Sequence, residues 1–331
     1  MKILIYEHLT AGGDLKGLSP SLLNEGNVMI KALIRDLSEI RNLELQVLRH
    51  VALPPLQEDQ GGIQWLPVKG SHPFEDLKEA IQHADAVWPI APESHGILEK
   101  ICQMVAQQGK RLIASPALWI QRSAGKYAAF SRLSMNGIAC VESHPLKGPS
   151  PTPPLPMPFV IKPEDGAGCE GIHLIQTLKH WELLCSSWCL GQEKVAQPLI
   201  FGRFLSLSAI FAAGQGVLIS CNLQEIDQVG NGFRLKGLRV NARADTDGRC
   251  AALIQGIAAT FPGLWGYIGI DLVENQEGLF VLEINPRLTT AYVGLHQALG
   301  YNPALWIMDL LETGHLPAAP TNAIGPHDLA L

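Results

Sequence analysis

Gly269-Ile270-Asp271-Leu272-Val273 and, five residues later, Leu279-Phe280-Val281-Leu282-Glu283-Ile284-Asn285-Pro286-Arg287 form the stretch that decides the fold. Both runs are short, apolar and partly β-branched, which predicts two strands. Residues 274–278 then make the hairpin loop. Strand side chains alternate faces, so Glu283 and Asn285 point the same way. Pairing Val273 with Leu279 would set Asp271 opposite Val281, one diagonal step from Glu283. Two carboxylates and an amide oxygen among apolar neighbours suit a hard cation such as Mg2+ that also holds phosphate. Pro286 ends the second strand, and Arg287 adds a fixed positive fork beside it. The same residues would also serve as the polar face of an exposed hairpin, with Arg287 paired locally.

Working outward, 331 residues suffice for two or three packed layers or subdomains. With 47% hydrophobic and 17% charged residues, the composition is globular. A net charge of −6 argues against a general nucleic-acid or anionic-membrane binder. No apolar run approaches about 18 residues, so no membrane span is expected. The N-terminus lacks a signal-peptide pattern. The seven cysteines include no C-x-x-C pair, which fits reduced thiols in a cytoplasmic protein.

Residues 1–115 read as alternating strand and helix. Strands are expected at 3–6, 45–48, 86–90 and 111–114, with a helix opened by Ser19-Pro20 and another over 96–109. This pattern predicts a doubly wound parallel sheet. A single helix is expected over 123–136, with Lys126 in its first turns and Gly137 as its stop. A Pro-rich loop follows, holding seven prolines between Pro145 and Pro158. Beyond it come a strand at 159–162, a glycine loop, a strand at 171–175, a helix near 179–189 and a strand near 194–200. A hairpin over 205–221 and a helix over 249–260 complete the approach to the opening stretch. Domain limits are expected at 1–115, 116–193 and 194–331.

The glycine loop, Asp165-Gly166-Ala167-Gly168-Cys169-Glu170-Gly171, contains G-x-G-x-x-G. A dinucleotide fingerprint would need a helix directly after it. Here a strand follows, so the loop is a hairpin tip able to fold its backbone N–H groups over phosphates. Lys162, on the strand entering the loop, is placed to reach phosphate oxygens. Cys169 is read as a small loop residue rather than a nucleophile. His8, His95 and His173 have no metal-ligand spacing.

Lys126, Lys162, the loop at 165–171 and the set Asp271, Glu283, Asn285 and Arg287 together resemble the ATP-grasp superfamily, in order and across nearly the whole chain. The resemblance implies an α/β and α+β fold, with an N-terminal doubly wound (pre-ATP-grasp) domain and two lobes gripping ATP. Lys126 and Lys162 match the phosphate-contacting lysines, and Gly166, Gly168 and Gly171 match the flap. Gln197 matches the adenine-side position, and Leu199 falls in the hinge. Asp271, Glu283 and Asn285 match the ligands of Mg2+, with Mn2+ an alternative. Arg287 matches the arginine that stabilises the transferring phosphoryl group or the tetrahedral oxyanion. One departure is Arg203-Phe204, where many members place a ribose-binding glutamate.

Glu7-His8-Leu9-Thr10-Ala11-Gly12-Gly13, the run from Ser21 to Gly26, and Glu283 to Thr290 further resemble the tyramine–glutamate ligases of methanofuran biosynthesis and their bacterial relatives. That likeness implies a carboxylate, such as glutamate, activated as an acyl phosphate and joined to an amine, such as tyramine or tyrosine. Alternatives are another amino-acid or dipeptide ligase of the superfamily, or a nucleotide-binding regulator without turnover. Arg239, near Arg243, is a candidate carboxylate clamp as well as a plausible solvated strand residue. Glu7, Thr10, Gly12, Gly13 and Glu93 follow strands of the N-terminal sheet, where ligands meet such sheets. Neither a nucleic-acid nor a membrane partner is expected, and a homodimer is common among enzymes of this type.

Overall fold

The N-terminal unit runs β1 (Lys2–Glu7), α1 (Pro20–Ser38), β2 (Glu44–His50), β3 (Ile63–Val68), α2 (Pro73–Gln82), β4 (Ala86–Ile90), α3 (Ile97–Gln107) and β5 (Arg111–Leu112). Its parallel sheet has the order β3-β2-β1-β4-β5. Burial on both faces of β1 explains its unbroken apolar run. Ile3 and Ile5 pack with Met29, Ile30 and Leu33 of α1. Leu4 and Tyr6 pack with Leu77 of α2 and Leu98 of α3. Strand order reverses at β1, so the crevice for a ligand lies beyond the ends of β1 and β4. The sequence reading missed β3 and α2. β3 is an edge strand interrupted by Gln64 and Pro67, and only Val68 of its residues is buried.

This computed structural model describes residues 1–13, 20–56, 62–70, 73–166, 168, 171–189, 191–320 and 324–330. Ser19, Cys169 and the inner flap positions Ala167 and Glu170 lie outside them.

The single helix expected over 123–136 is two: α4 (Ala117–Ala124) and α5 (Lys126–Met135). Gly125 between them is extended, with ψ 125°. A Cβ there would lie 2.8 Å from Glu164 Oε1, so a larger residue would push that carboxylate aside.

A four-stranded antiparallel sheet follows, built from β6 (His144–Leu146), β7 (Phe159–Pro163), β8 (His173–Ile175) and β9 (Lys194–Pro198) in the order β6-β9-β7-β8. Helix α6 (Leu178–Ser186) covers it through Trp181, which packs on Phe159 and Ile175. The Trp181 indole N–H donates to Ser150 O at 2.9 Å and pins the Pro-rich stretch. The boundary expected after residue 193 falls inside this sheet, because β9 pairs with β6 and β7.

The remainder comprises β10 (Arg203–Ala212), β11 (Gln215–Val229), β12 (Gly232–Arg243), α7 (Arg249–Thr260), β13 (Gly266–Asn275), β14 (Gly278–Asn285), α8 (Tyr292–Leu299), α9 (Pro303–Thr313) and β15 (His327–Ala330). The strands form an antiparallel sheet in the order β14-β13-β10-β11-β12-β15. Helix α7 packs on one face through Ile254, Ile257 and Ala258. On the other face, Tyr292, Leu295 and Ile307 join a core shared with α1. Buried Asp36 of α1 fastens that junction: His296 Nδ1 lies 2.9 Å from its carboxylate, and Asn302 Nδ2 donates to its backbone O at 2.7 Å.

The β13–β14 register differs from the expectation. Val273 faces Phe280, and Asp271 directly opposes Glu283. The turn is only Gln276-Glu277, with Asn275 Oδ1 accepting from the N–H of Glu277 (2.8 Å) and of Gly278 (3.2 Å). The register then shifts after Asp271, a β-bulge that leaves Leu282 unpaired and carries Glu283 level with Asp271. Packing against this strand is tight, since a Cβ at Gly269 would lie 2.4 Å from Thr289 Cγ2. Gly269→Ala should therefore lower the unfolding free energy by about 1–3 kcal/mol in a urea titration. Adding Thr289→Ser, which removes that methyl group, should recover part of the loss.

Candidate active site

The hairpin supplies an acidic face. Asp271 Oδ1 accepts from Gln224 Nε2 at 2.9 Å, and its Oδ2 accepts from Asn285 Nδ2 at 3.0 Å. Lys126 stands opposite, its Nζ 3.3 Å from Glu283 Oε2 and donating to Gly166 O at 2.8 Å. The start of α5 fixes that lysine. Lys126 N donates to Glu164 O at 3.1 Å, and the Glu164 carboxylate accepts from Tyr127 N at 3.0 and 3.1 Å. A carboxylate at a helix N-terminus satisfies orphan donors and complements the helix dipole.

Lys126, Gly166, Gln224, Asp271, Glu283 and Asn285 line one cavity of about 1380 Å³, counted with its open mouth. Its charged end carries Lys126, Lys162, Asp271, Glu283, Asn285 and Arg287. Its other end is apolar, with Val160, Leu199, Ile200, Phe204, Ile226 and Leu282. Gln197 lies on the wall, its Nε2 donating to Ser143 Oγ at 2.8 Å while Oε1 is buried without a partner among the described residues. An unpaired buried acceptor beside apolar walls fits a ligand that brings its own N–H donor, such as an adenine amino group.

The electrostatics fit a cation between the carboxylates. Burial and the facing Glu283 push the Asp271 carboxyl above its ordinary range. Burial also opposes ionisation of Glu283, but Lys126 and Lys162 outweigh it and hold that carboxyl below its usual range. Hence one of two opposed carboxyls resists ionisation, a conflict that a divalent ion would relieve. Among the described residues no three His, Cys, Asp or Glu side chains form a metal cage. The oxygen donors Asp271, Glu283 and Asn285 instead suit Mg2+ completed by phosphate and water.

Arg287 sits where this cavity meets a second, larger cleft. Its Nε donates to Glu93 at 3.0 Å, and a terminal N–H donates to Leu288 O at 3.1 Å. Burial disfavours its charge, yet Glu93, Glu283 and Glu25 more than compensate and keep it raised above its ordinary value. Gly166 and Gly168 border both spaces, while Gly171 lines only the second. The root of the flap is clasped by the N-terminal unit: Asp165 Oδ2 accepts from His95 N at 2.6 Å, and Ser94 Oγ donates to Asp165 O at 2.9 Å.

Residues 124–291, about half the chain, match the model described as an ATP-grasp domain, and residues 43–118 match the pre ATP-grasp 3 domain. The chain belongs to the ATP-grasp family. Among its curated relatives is tyramine–L-glutamate ligase of Methanocaldococcus jannaschii, 23% identical over 92% of this chain and 86% of that protein. Tyramine–L-glutamate ligase of Methanocaldococcus fervens is 24% identical over 88% of this chain and 89% of that protein. Among solved structures, an ATP-grasp superfamily protein from Archaeoglobus fulgidus superposes with a TM-score of 0.68 at 20% identity, covering 100% of this chain and 99% of that one. An L-amino acid ligase from Bacillus licheniformis gives 0.68 at 14%, covering 94% and 74%. These superpositions establish the fold.

Of the candidates read from the ATP-grasp sequence, the structure does not bring Arg239 to the site. Leu238 and Val240 turn into the core, so alternation turns Arg239 outward, 3.4 Å from Asp328 of β15. Arg243 pairs with Glu274 at 2.6 Å. Glu7 borders the second cleft, but its carboxylate accepts from the N–H of Thr10 (2.6 Å) and of Leu9 (3.2 Å), and burial raises its pKa. Gly13 packs against His8 and Gly12 against His50. Residues missed as site members are Gln224, Ser143, Glu164 and Glu25. Gln224 was invisible because β11 runs well past the strand expected there.

Asp271→Asn removes the opposed charge. It should raise the stability of the nucleotide-free protein by roughly 1 kcal/mol in thermal or denaturant unfolding. The same change should weaken Mg-dependent nucleotide binding measured by calorimetry.

Proposed function

We propose that this ATP-grasp protein is an ATP-dependent ligase that joins a carboxylate to an amine through an acyl phosphate. The observation carrying this reading is the convergence of Lys126, Lys162, Arg287 and the Asp271–Glu283 pair at the junction of an apolar-walled cavity and a second cleft. Adenine would lie toward Gln197 and Leu199, and the phosphates toward the lysines and the flap glycines. Asp271, Glu283 and Asn285 would hold Mg2+, which supplies charge neutralisation at the phosphates when bound.

The substrate carboxylate oxygen attacks the γ-phosphorus, the bond to the ADP oxygen breaks, and ADP leaves. The amine lone pair then forms the C–N bond, the acyl C–O bond to phosphate breaks with release of inorganic phosphate, and the nitrogen gives up a proton to solvent. Both steps build negative charge on oxygen. Lys126, Lys162 and Arg287 present fixed positive charge where that happens. No covalent enzyme intermediate is required. Glutamate and tyramine are the first pair to test, because the curated ligases similar to this chain carry those substrates in their names.

Purified protein with Mg-ATP, L-glutamate and tyramine should release ADP and give the γ- or α-amide by mass detection. ATP binding without conjugate would remove this substrate pair, and failure to bind ATP would overturn the ligase reading. Arg287→Lys keeps a charge against Glu93 but loses the planar fork. It should lower kcat by about 100-fold or more, with a much smaller change in the KM for ATP.

A further inference from the structure

The guanidinium of Arg287 is held by its inner edge. Its Nε lies 3.0 Å from each carboxylate oxygen of Glu93, and Nη1 donates to Leu288 O at 3.1 Å. Among the described residues these are the groups it donates to. A guanidinium carries five N–H groups, so the outer edge keeps donors for oxygens in the two spaces that Arg287 borders. A carboxylate gripping both terminal nitrogens in bidentate fashion would have taken those donors instead.

Glu93 is placed to act through Arg287 and not on a ligand. Pro92, Ser94 and His95 line the second cleft, but Glu93 among them lines neither that cleft nor the nucleotide cavity. Its side chain is 6% exposed, and that of Arg287 is 13% exposed. The backbone carrying Glu93 is fixed between β4 and α3. Its carbonyl accepts from Gly96 N at 3.0 Å, and the Pro92 carbonyl accepts from Leu98 N of α3 at 3.1 Å. Of the carboxylates that sustain the charge of Arg287, Glu93 contributes most, ahead of Glu283 and Glu25. The contact spans 194 positions of sequence, from the N-terminal unit to the segment that follows the acidic hairpin. An arginine side chain is mobile when untethered, and charge stabilises a transition state most when it is fixed in advance.

We propose that Glu93 is a positioning residue for phosphoryl transfer: from the N-terminal unit it holds Arg287 by Nε and leaves the terminal N–H groups for the oxygens on which charge builds. This role rests on the ligase reading. It gives the N-terminal unit a part in the chemical step as well as in forming the cleft.

The test compares Glu93→Ala and Glu93→Gln in ADP release from Mg-ATP with L-glutamate and tyramine. Glu93→Ala should lower kcat by about 30-fold, the scale of misplacing a group that acts on the transition state, and change the KM for ATP by no more than about threefold. Glu93→Gln keeps an acceptor at the same reach and should retain most of kcat. Added to Arg287→Ala, Glu93→Ala should lower kcat by no more than about threefold further, because the two act as a unit. Calorimetric binding of Mg-ATP by Glu93→Ala at near wild-type affinity shows that the variant is folded. The Arg287 Nε–H itself gives a readout that does not depend on the substrate pair. In proton–nitrogen NMR spectra, assigned by its absence in Arg287→Lys, it should exchange slowly in the wild type and lose that protection in Glu93→Ala. Unchanged kcat in Glu93→Ala, full additivity with Arg287→Ala, or an unprotected Nε–H in the wild type would each overturn the proposal and leave the ligase reading standing. A loss confined to the KM for tyramine would overturn it in favour of a direct ligand contact. Wild type that fails to bind Mg-ATP would remove the ligase reading and this role with it.

Discussion

Two carboxylates held directly opposite one another are the constraint on which the site depends. Asp271 and Glu283 are paired across β13 and β14 by a bulge that costs ladder regularity. Burial and mutual repulsion make the pair unfavourable without positive charge nearby. Lys126 supplies part of that charge, and its own position depends on Glu164 capping α5. Glu164 in turn sits immediately beyond β7, at the root of the glycine flap. The acidic hairpin, the capped helix and the flap are thus one electrostatic unit spread across two sheets.

That unit also illustrates the conflict between stability and activity. An apolar or amide replacement would remove the repulsion and leave a more comfortable core, but it would also remove the donors for a hard cation. Gln197 follows the same logic on the other wall, where an orphaned acceptor is tolerated in a place that a ligand donor can reach. Strained features here mark the places where a ligand completes the protein.

Much of this was legible in the sequence. The apolar run of β1, the helix over Arg249–Thr260 and the alternation of the last hairpin carry local periodicity, whereas Lys162 stood out by the glycine loop it enters and Lys126 only through the resemblance to the ATP-grasp superfamily. The exact register of the hairpin was not legible, because Leu282 looks like any other apolar strand residue until the bulge sets it aside. The start of α5 after Gly125 is bonded by Glu164, a residue far along the chain. Arg239 was misplaced because strand phase decides which way a side chain points, and a charge on a half-buried strand does not reveal that phase. Glu25 was read as part of a helix start; only the packing of α1 against the segment after Arg287 places it between two cavities.

The clasp on Asp165 ties the two spaces to one short turn of chain. Ser94 and His95 belong to the wall of the second cleft and hold Asp165 through its carbonyl and its carboxylate. The next residue, Gly166, borders both spaces, and its carbonyl accepts from Lys126 of the nucleotide cavity. The cleft wall and the lysine that faces the acidic pair therefore bear on adjacent residues, and a change at either is felt by the other.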